Sequence, residues 1–214
     1  MNQRPSRSNW PYCDSTYPDA FSGEKDSCGV GFIASVEGKQ NHWVLSQALR
    51  GLSCMEHRGG CGGDSDSGDG AGILCEIPWS YLKQVWEKAK KCEPQLSGLG
   101  MIFMPKDIKN REIAKNICEQ EAKYLGLTSK GWRDVPINDA VLGKLAKENE
   151  PFITQWLVDI KDKEINLEAL LFRLKQRISN RANIELKEDK LGLYICSLSN
   201  KTIVYKGMVR SEIL

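Results

Sequence analysis

Cys28 stands in the run Asp26-Ser27-Cys28-Gly29-Val30-Gly31-Phe32. Behind it come Glu56-His57-Arg58-Gly59-Gly60-Cys61 and a Gly/Asp-rich loop, Asp64-Ser65-Asp66-Ser67-Gly68-Asp69-Gly70-Ala71-Gly72. A cysteine attacks as its thiolate, and a free thiol of pKa about 8.5 is only partly ionised at neutral pH, so it needs a nearby base or an electropositive setting. The chain has only two histidines, His42 and His57, which leaves little scope for a histidine base or a multi-histidine metal site. If there is chemistry, cysteine carries it. Glycines 29 and 31 let a substrate approach the backbone where side chains would block it. Taken alone, Cys28-Gly29-Val30-Gly31-Phe32 reads equally well as a plain strand start; the second motif shifts the balance towards a nucleophile.

The elements that would hold this cysteine follow from apolar spacing. Gly29 to Val36 alternates and Glu37-Gly38-Lys39 is a turn, which predicts a strand with Cys28 at its tip, exposed yet rigidly held. Asn41 is an N-cap for a helix in which Val44, Leu45, Ala48, Leu49, Leu52 and Met55 recur at three- and four-residue steps. That helix delivers His57-Arg58-Gly59-Gly60 at its C-terminal end. A cation near the helix dipole and a glycine C-cap explain Arg58 and Gly59 without any chemistry, and both readings hold together. Ile73 to Ile77 is a second strand, stopped by Pro78, and Trp79 to Lys91 a helix. Strands over Leu99 to Met104, Trp132 to Ile137 and Phe152 to Ile160 then alternate with helices over Ile108 to Leu125, Asp139 to Lys147 and Leu167 to Ile178. Leu193 to Leu198 and Thr202 to Met208, joined at Ser199-Asn200-Lys201, read as a β-hairpin. The pattern is α/β or α+β, without repeats.

Composition narrows the class. The 214 residues, 41% of them hydrophobic, can build a proper core. Thirty Lys+Arg against 28 Asp+Glu are scattered rather than massed in a stripe, so nucleic acid is not an expected partner. No apolar run approaches the roughly 18 residues that span a bilayer, and Met1 to Trp10 is polar, so no membrane is expected and the chain reads as cytoplasmic. Eight cysteines in a long chain without an export signal read as reduced thiols. Cys92, Cys118 and Cys196 are expected to be buried packing residues, and Trp43, Trp79, Trp86 and Trp156 to pack in the core.

The Cys28 and Arg58-Gly59 motifs, with the Asp64 to Gly72 loop, resemble the class II glutamine amidotransferase domain of glutamate synthase. The run Cys54-Met55-Glu56-His57-Arg58-Gly59-Gly60-Cys61 is most similar to the ferredoxin-dependent enzymes. Tyr194 to Ser199 and Val204-Tyr205-Lys206-Gly207-Met208 extend the likeness. The resemblance implies an α+β chain with the four-layer αββα fold of N-terminal nucleophile hydrolases, incomplete in this chain. It implies residues 1–27 as a leader or propeptide and residues 28–214 as the N-terminal portion of the amidotransferase domain. Removal of the leader would give Cys28 a free α-amine of pKa about 7.7 to 8.0, able to accept the thiol proton. Cys28 would attack the side-chain amide of L-glutamine, Arg58 would brace the nucleophile's strand, and Gly59 would lie beside the substrate. The whole enzyme would carry FMN, a 3Fe-4S cluster and its remaining synthase domains and draw electrons from ferredoxin, in the cytoplasm or a plastid stroma. No cofactor or metal is expected in this segment.

The family's Arg-Phe-Ser/Thr clamp, Asn-Gly oxyanion hole and amine-binding aspartate cannot be placed, and no Asn-Gly dipeptide occurs in the chain. Substrate-binding residues are therefore expected beyond Leu214. Losing one oxyanion donor costs about 2.7 to 4 kcal/mol, so this chain alone is expected to be nearly inactive. Two other readings attach to the same residues. Asp64-Ser65-Asp66-Ser67-Gly68-Asp69 suggests calcium, but the order departs from the EF-hand pattern. Cys54, His57, Cys61 and Cys75 suggest a non-catalytic zinc- or partner-binding module, although their spacing matches no compact zinc pattern.

Overall fold

The computed structural model describes residues 29–55, 67–68, 70–186 and 192–214. Five α-helices and six strands follow in the order α1 (His42–Cys54), β1 (Ala71–Glu76), α2 (Trp79–Val85), β2 (Ser97–Met104), α3 (Ile108–Tyr124), β3 (Thr128–Asp134), α4 (Lys144–Glu148), β4 (Phe152–Asp159), α5 (Leu167–Glu185), β5 (Tyr194–Ser199) and β6 (Thr202–Gly207). One antiparallel sheet has the order β3-β4-β2-β5, and β1 pairs with β6 as a two-stranded ribbon.

Alternation along the strands splits the apolar residues between two cores. Ile102, Met104, Trp156, Val158, Ile195 and Leu198 face α3 and α5, which cover them with Ile117, Cys118, Leu171, Leu174 and Ile178. Leu99, Met101 and Leu157, on the opposite face, meet Ile203, Cys75 and Tyr205 of the ribbon, with Leu82, Trp86 and Ala89 closing the side. Helix α1 touches β1 and contributes nothing to either core. The layers therefore run α3/α5, four-stranded sheet, ribbon, α1, which is the expected αββα order with a thin outer half.

Local signals explain the helices. Asp107 accepts from Asn110 N at 2.9 Å to start α3, and Asn166 accepts from Ala169 N at 3.2 Å to start α5. The two helices are joined by Glu121, which accepts from Arg177 Nε at 2.6 Å and lies 3.4 Å from Arg181 Nη1. Arg177 in turn lies 4.2 Å over the Tyr124 ring. Helix α5 runs to Glu185, past the expected end at Ile178, because Ala182 and Leu186 continue its buried stripe.

Five expectations are corrected. Gly29 to Val36 is not a strand: it has no ladder partner among the described residues, and Val30, Phe32 and Val36 stand in the open. Alternation alone cannot make a strand without a neighbour to bond. The helix expected over Trp79 to Lys91 breaks at Trp86, whose extended backbone turns the indole into the core before a 3-10 turn over Glu87–Lys91. Asp139 to Lys147 splits into a 3-10 turn at Asp139–Val141 and α4. Strand β3 begins at Thr128, earlier than expected, since its polar start lies on a sheet edge and carries an irregularity between Ser129 and Gly131. Trp43 is exposed, whereas Trp86 and Trp156 are buried.

The expected hairpin is also a different object. Strands β5 and β6 follow one another but pair in different sheets, so Ser199-Asn200-Lys201 carries the chain between layers. Serine side chains replace the ladder: Ser199 Oγ accepts from Lys201 N and Thr202 N at 3.0 and 3.1 Å. Ser197 Oγ accepts from Val204 N at 3.1 Å. A register shift against β2, where Met101 pairs with Ser197 and Ile102 with Ile195, places both Cys196 and Ser197 on the ribbon side.

Burial between the layers has a pH consequence. It pushes the Cys196 thiol from 9.0 up to about 11 and raises the Tyr205 hydroxyl as well. An acid whose folded-state pKa lies above its unfolded value contributes fully below the unfolded value and loses that contribution as pH rises through the folded one. The melting temperature is therefore expected to fall between about pH 8 and about pH 10.5, and to fall less in Cys196→Ala. Equal melting at both values would contradict this.

Candidate functional site

Cys28, Arg58 and Gly59 lie outside the described residues, as do His57, Cys61 and Asp69. Their flanks are described, and they meet. A Cβ placed on Gly29 would come within 3.2 Å of Met55 Sδ, so the residue after Cys28 lies against the residue before Glu56. Met55 caps α1, its N–H donating to Leu52 O at 3.0 Å. The helix itself starts where expected, with Asn41 Oδ1 accepting from Trp43 N at 2.8 Å.

The far end of the motif loop is riveted to the rest of the domain. Ser67 is buried, and its Oγ accepts from Ala146 N at 3.1 Å. Helix α4 is capped by Gly143, which has no side chain to offer, so Ser67 supplies the N-cap acceptor from 79 residues away. Next to it, a Cβ on Gly68 would lie 2.6 Å from the Val209 carbonyl and the Arg210 N. One on Gly72 would lie 2.9 Å from Lys206 Cβ, and Gly70 follows the same face with φ +129. The alternating glycines let this strand run flush against β6. Sequence inspection marked the loop but assigned no role to Ser67 or to these glycines; the i, i+2, i+4 spacing of glycine leading into a strand was the signal.

Where the ribbon and the larger sheet part, Gly70, Gly72, Phe103, Lys206 and Met208 line a cleft of about 410 Å³. It opens into a wider, mostly apolar one of about 730 Å³ that reaches Ile137, Ile153 and Leu214. Lys206 Nζ donates to Tyr194 OH at 2.7 Å and sits 4.3 Å over the Tyr194 ring, fixing one cation at the shared rim.

Four thiols among the described residues are poorly suited to attack. Burial raises the Cys75, Cys92 and Cys196 thiols and pushes Cys118 far up. A thiol held protonated is a weak nucleophile at neutral pH. Of the candidate zinc set, Cys54 is exposed on α1 and Cys75 half-buried in β1. No group of three His, Cys, Asp or Glu suited to a metal ion occurs among the described residues. No helix among them is long and apolar enough to cross a membrane.

Residues 28–214 match the family of class II glutamine amidotransferases. The chain is 44% identical over 196 residues to ferredoxin-dependent glutamate synthase 1, chloroplastic/mitochondrial, of Arabidopsis thaliana, covering 89% of this chain and 12% of the relative. It is 45% identical over 195 residues to ferredoxin-dependent glutamate synthase 2 of Synechocystis, again covering 89% and 12%. The enzyme of Pyropia yezoensis is 42% identical over 219 residues, covering all of this chain and 14% of the relative. The chain thus spans about an eighth of the length of these relatives.

Proposed function

Because the chain belongs to the class II glutamine amidotransferases, we propose that it is the glutaminase portion of a ferredoxin-dependent glutamate synthase, with Cys28 as its nucleophile. The observation that carries this reading is that the family match begins at Cys28 itself. The contact of Gly29 with Met55 supports it, since it draws the two motif segments together.

With residues 1–27 removed, the Cys28 α-amine takes the thiol proton, directly or through water. The thiolate sulfur then bonds to the side-chain amide carbon of glutamine, and the electron pair moves onto oxygen as a tetrahedral oxyanion. Collapse breaks the C–N bond, and ammonia leaves with the proton held by the amine. Water attacks the γ-glutamyl thioester, the C–S bond breaks, and glutamate departs with the thiol restored. Arg58 braces the segment that bears the nucleophile, and Gly59 lies beside the substrate. The ammonia then serves glutamate synthesis from 2-oxoglutarate elsewhere in the polypeptide.

FMN, a 3Fe-4S cluster and ferredoxin belong to that second half-reaction. Cys92 is buried between the layers and Cys118 on the inner side of α3, and no group of three His, Cys, Asp or Glu suited to a metal ion occurs among the described residues. Hydrolysis of glutamine through the Cys28 thioester needs none of them. The cytoplasm or a plastid stroma is the proposed compartment.

Mass spectrometry of the mature protein is expected to find Cys28 as the first residue and one equivalent of a glutamine-analogue electrophile attached to it. A mature chain that keeps residues 1–27 and hydrolyses glutamine at full rate would overturn the reading.

A further inference from the structure

Two cations meet on the open edge of the larger sheet. Strand β3 is an edge strand, and its residues Gly131 and Arg133 stand opposite Leu157 and Gln155 of β4. Leu157 belongs to the core beneath the ribbon, so alternation puts Gly131 and Arg133 on that face. Gly131 has φ +136 and no side chain, and Lys88 uses the space: a Cβ there would collide with Lys88 Nζ. The glycine thus lets the ammonium reach the strand two residues from the guanidinium.

The direction of Arg133 is set from within the fold. Its Nη1 donates to Gln155 Oε1 at 2.9 Å, and Gln155 is 2% exposed. The Gln155 side chain also hydrogen-bonds to the Tyr205 hydroxyl, so a buried amide orients the guanidinium and leaves its other N–H donors to face outwards from the edge. Neither Lys88 nor Arg133 pairs with a carboxylate among the described residues. The nearby acids are engaged elsewhere, Glu87 with Lys90 at 2.5 Å and Asp159 with Lys130 at 3.3 Å.

We propose that Lys88 and Arg133 form a binding site for a small carboxylate at the β3 edge. The planar guanidinium matches a carboxylate with two parallel hydrogen bonds, and the ammonium adds a point charge beside it. Phosphate offers the same anionic oxygens in a tetrahedral shape, and the experiment separates the two. The site uses none of the motif residues, so it stands independently of the glutaminase reading.

Acylation of Lys88 by an N-hydroxysuccinimide ester, read by peptide mass spectrometry in the full-length protein at constant ionic strength, reports occupancy. Glutarate is expected to slow it about tenfold at ten times the half-protecting concentration, while Lys109, exposed on α3, reacts as before. Arg133→Gln is expected to raise the half-protecting concentration about ten- to a hundredfold. Equal protection of Lys88 and Lys109, an unchanged half-protecting concentration in Arg133→Gln, or phosphate protecting at lower concentration than glutarate would overturn the proposal. If Arg133→Gln does not fold, Lys88→Gln alters only an exposed side chain, and phenylglyoxal labelling of Arg133 becomes the readout. Glutarate is expected to protect Arg133 less in that variant than in the parent; parental protection there has the same force against the proposal.

Discussion

Cys28→Ala in the full-length protein is expected to abolish glutamine hydrolysis while synthesis of glutamate from added ammonia survives. Alanine removes the sulfur that would form the thioester. Removing the attacking group of a hydrolase lowers kcat by about four to six orders of magnitude, and burial raises the thiols of Cys75, Cys92, Cys118 and Cys196, which makes these four poor replacements. Ammonia-dependent synthesis bypasses the thioester altogether, so it reports on folding and on the second half-reaction in the same sample. Parallel assays of glutaminase and ammonia-dependent activity decide the matter. Equal loss of both would mean that Cys28 holds the structure rather than the reaction.

Trp156→Ala is expected to be the most damaging single truncation for stability. The indole is fully buried, stacks on Trp132 with ring centroids 5.0 Å apart, and donates through Nε1 to Ser129 Oγ at 2.9 Å. Ser129 and Trp132 Nε1 both turn to Glu119 Oε1, at 3.4 and 2.8 Å, which extends the cluster onto α3. Losing the ring forfeits its transfer energy and leaves a cavity in the centre of the larger sheet, together about 3 to 5 kcal/mol. For a domain of this size that lowers the melting temperature by on the order of 10 °C. Trp43→Ala, on exposed α1, is the control and should change stability by less than about 0.5 kcal/mol. Similar melting of the two variants would show that the core assignment is wrong.

Spacing in the sequence was enough to find the helices whose apolar stripe meets a core. Helices α3 and α5 begin where Asp107 and Asn166 offer caps, and the buried strands β2 and β4 stand out as apolar runs. What spacing could not supply was partnership. Thr202 to Gly207 is a strand in either reading, yet only the serines on β5 and the facing edge of β1 decide that it leaves its neighbour for another layer. Gly29 to Val36 has the right alternation and finds no ladder neighbour among the described residues. The candidate site was legible only as motifs, because glycine, arginine and cysteine are informative in order. The role of Ser67 was not, because its partner lies 79 residues downstream and a serine in a Gly/Asp loop has many local explanations.

The glycines that run flush with β6 also bear on how this gene can vary. Every missense change from a single nucleotide in a glycine codon adds at least a Cβ. At positions 68 and 72 that carbon meets backbone or Lys206 within 3 Å, and at position 70 it meets a dihedral that side chains avoid. Inheritance therefore offers these codons no small steps, and drift in the loop must pass through the residues between them.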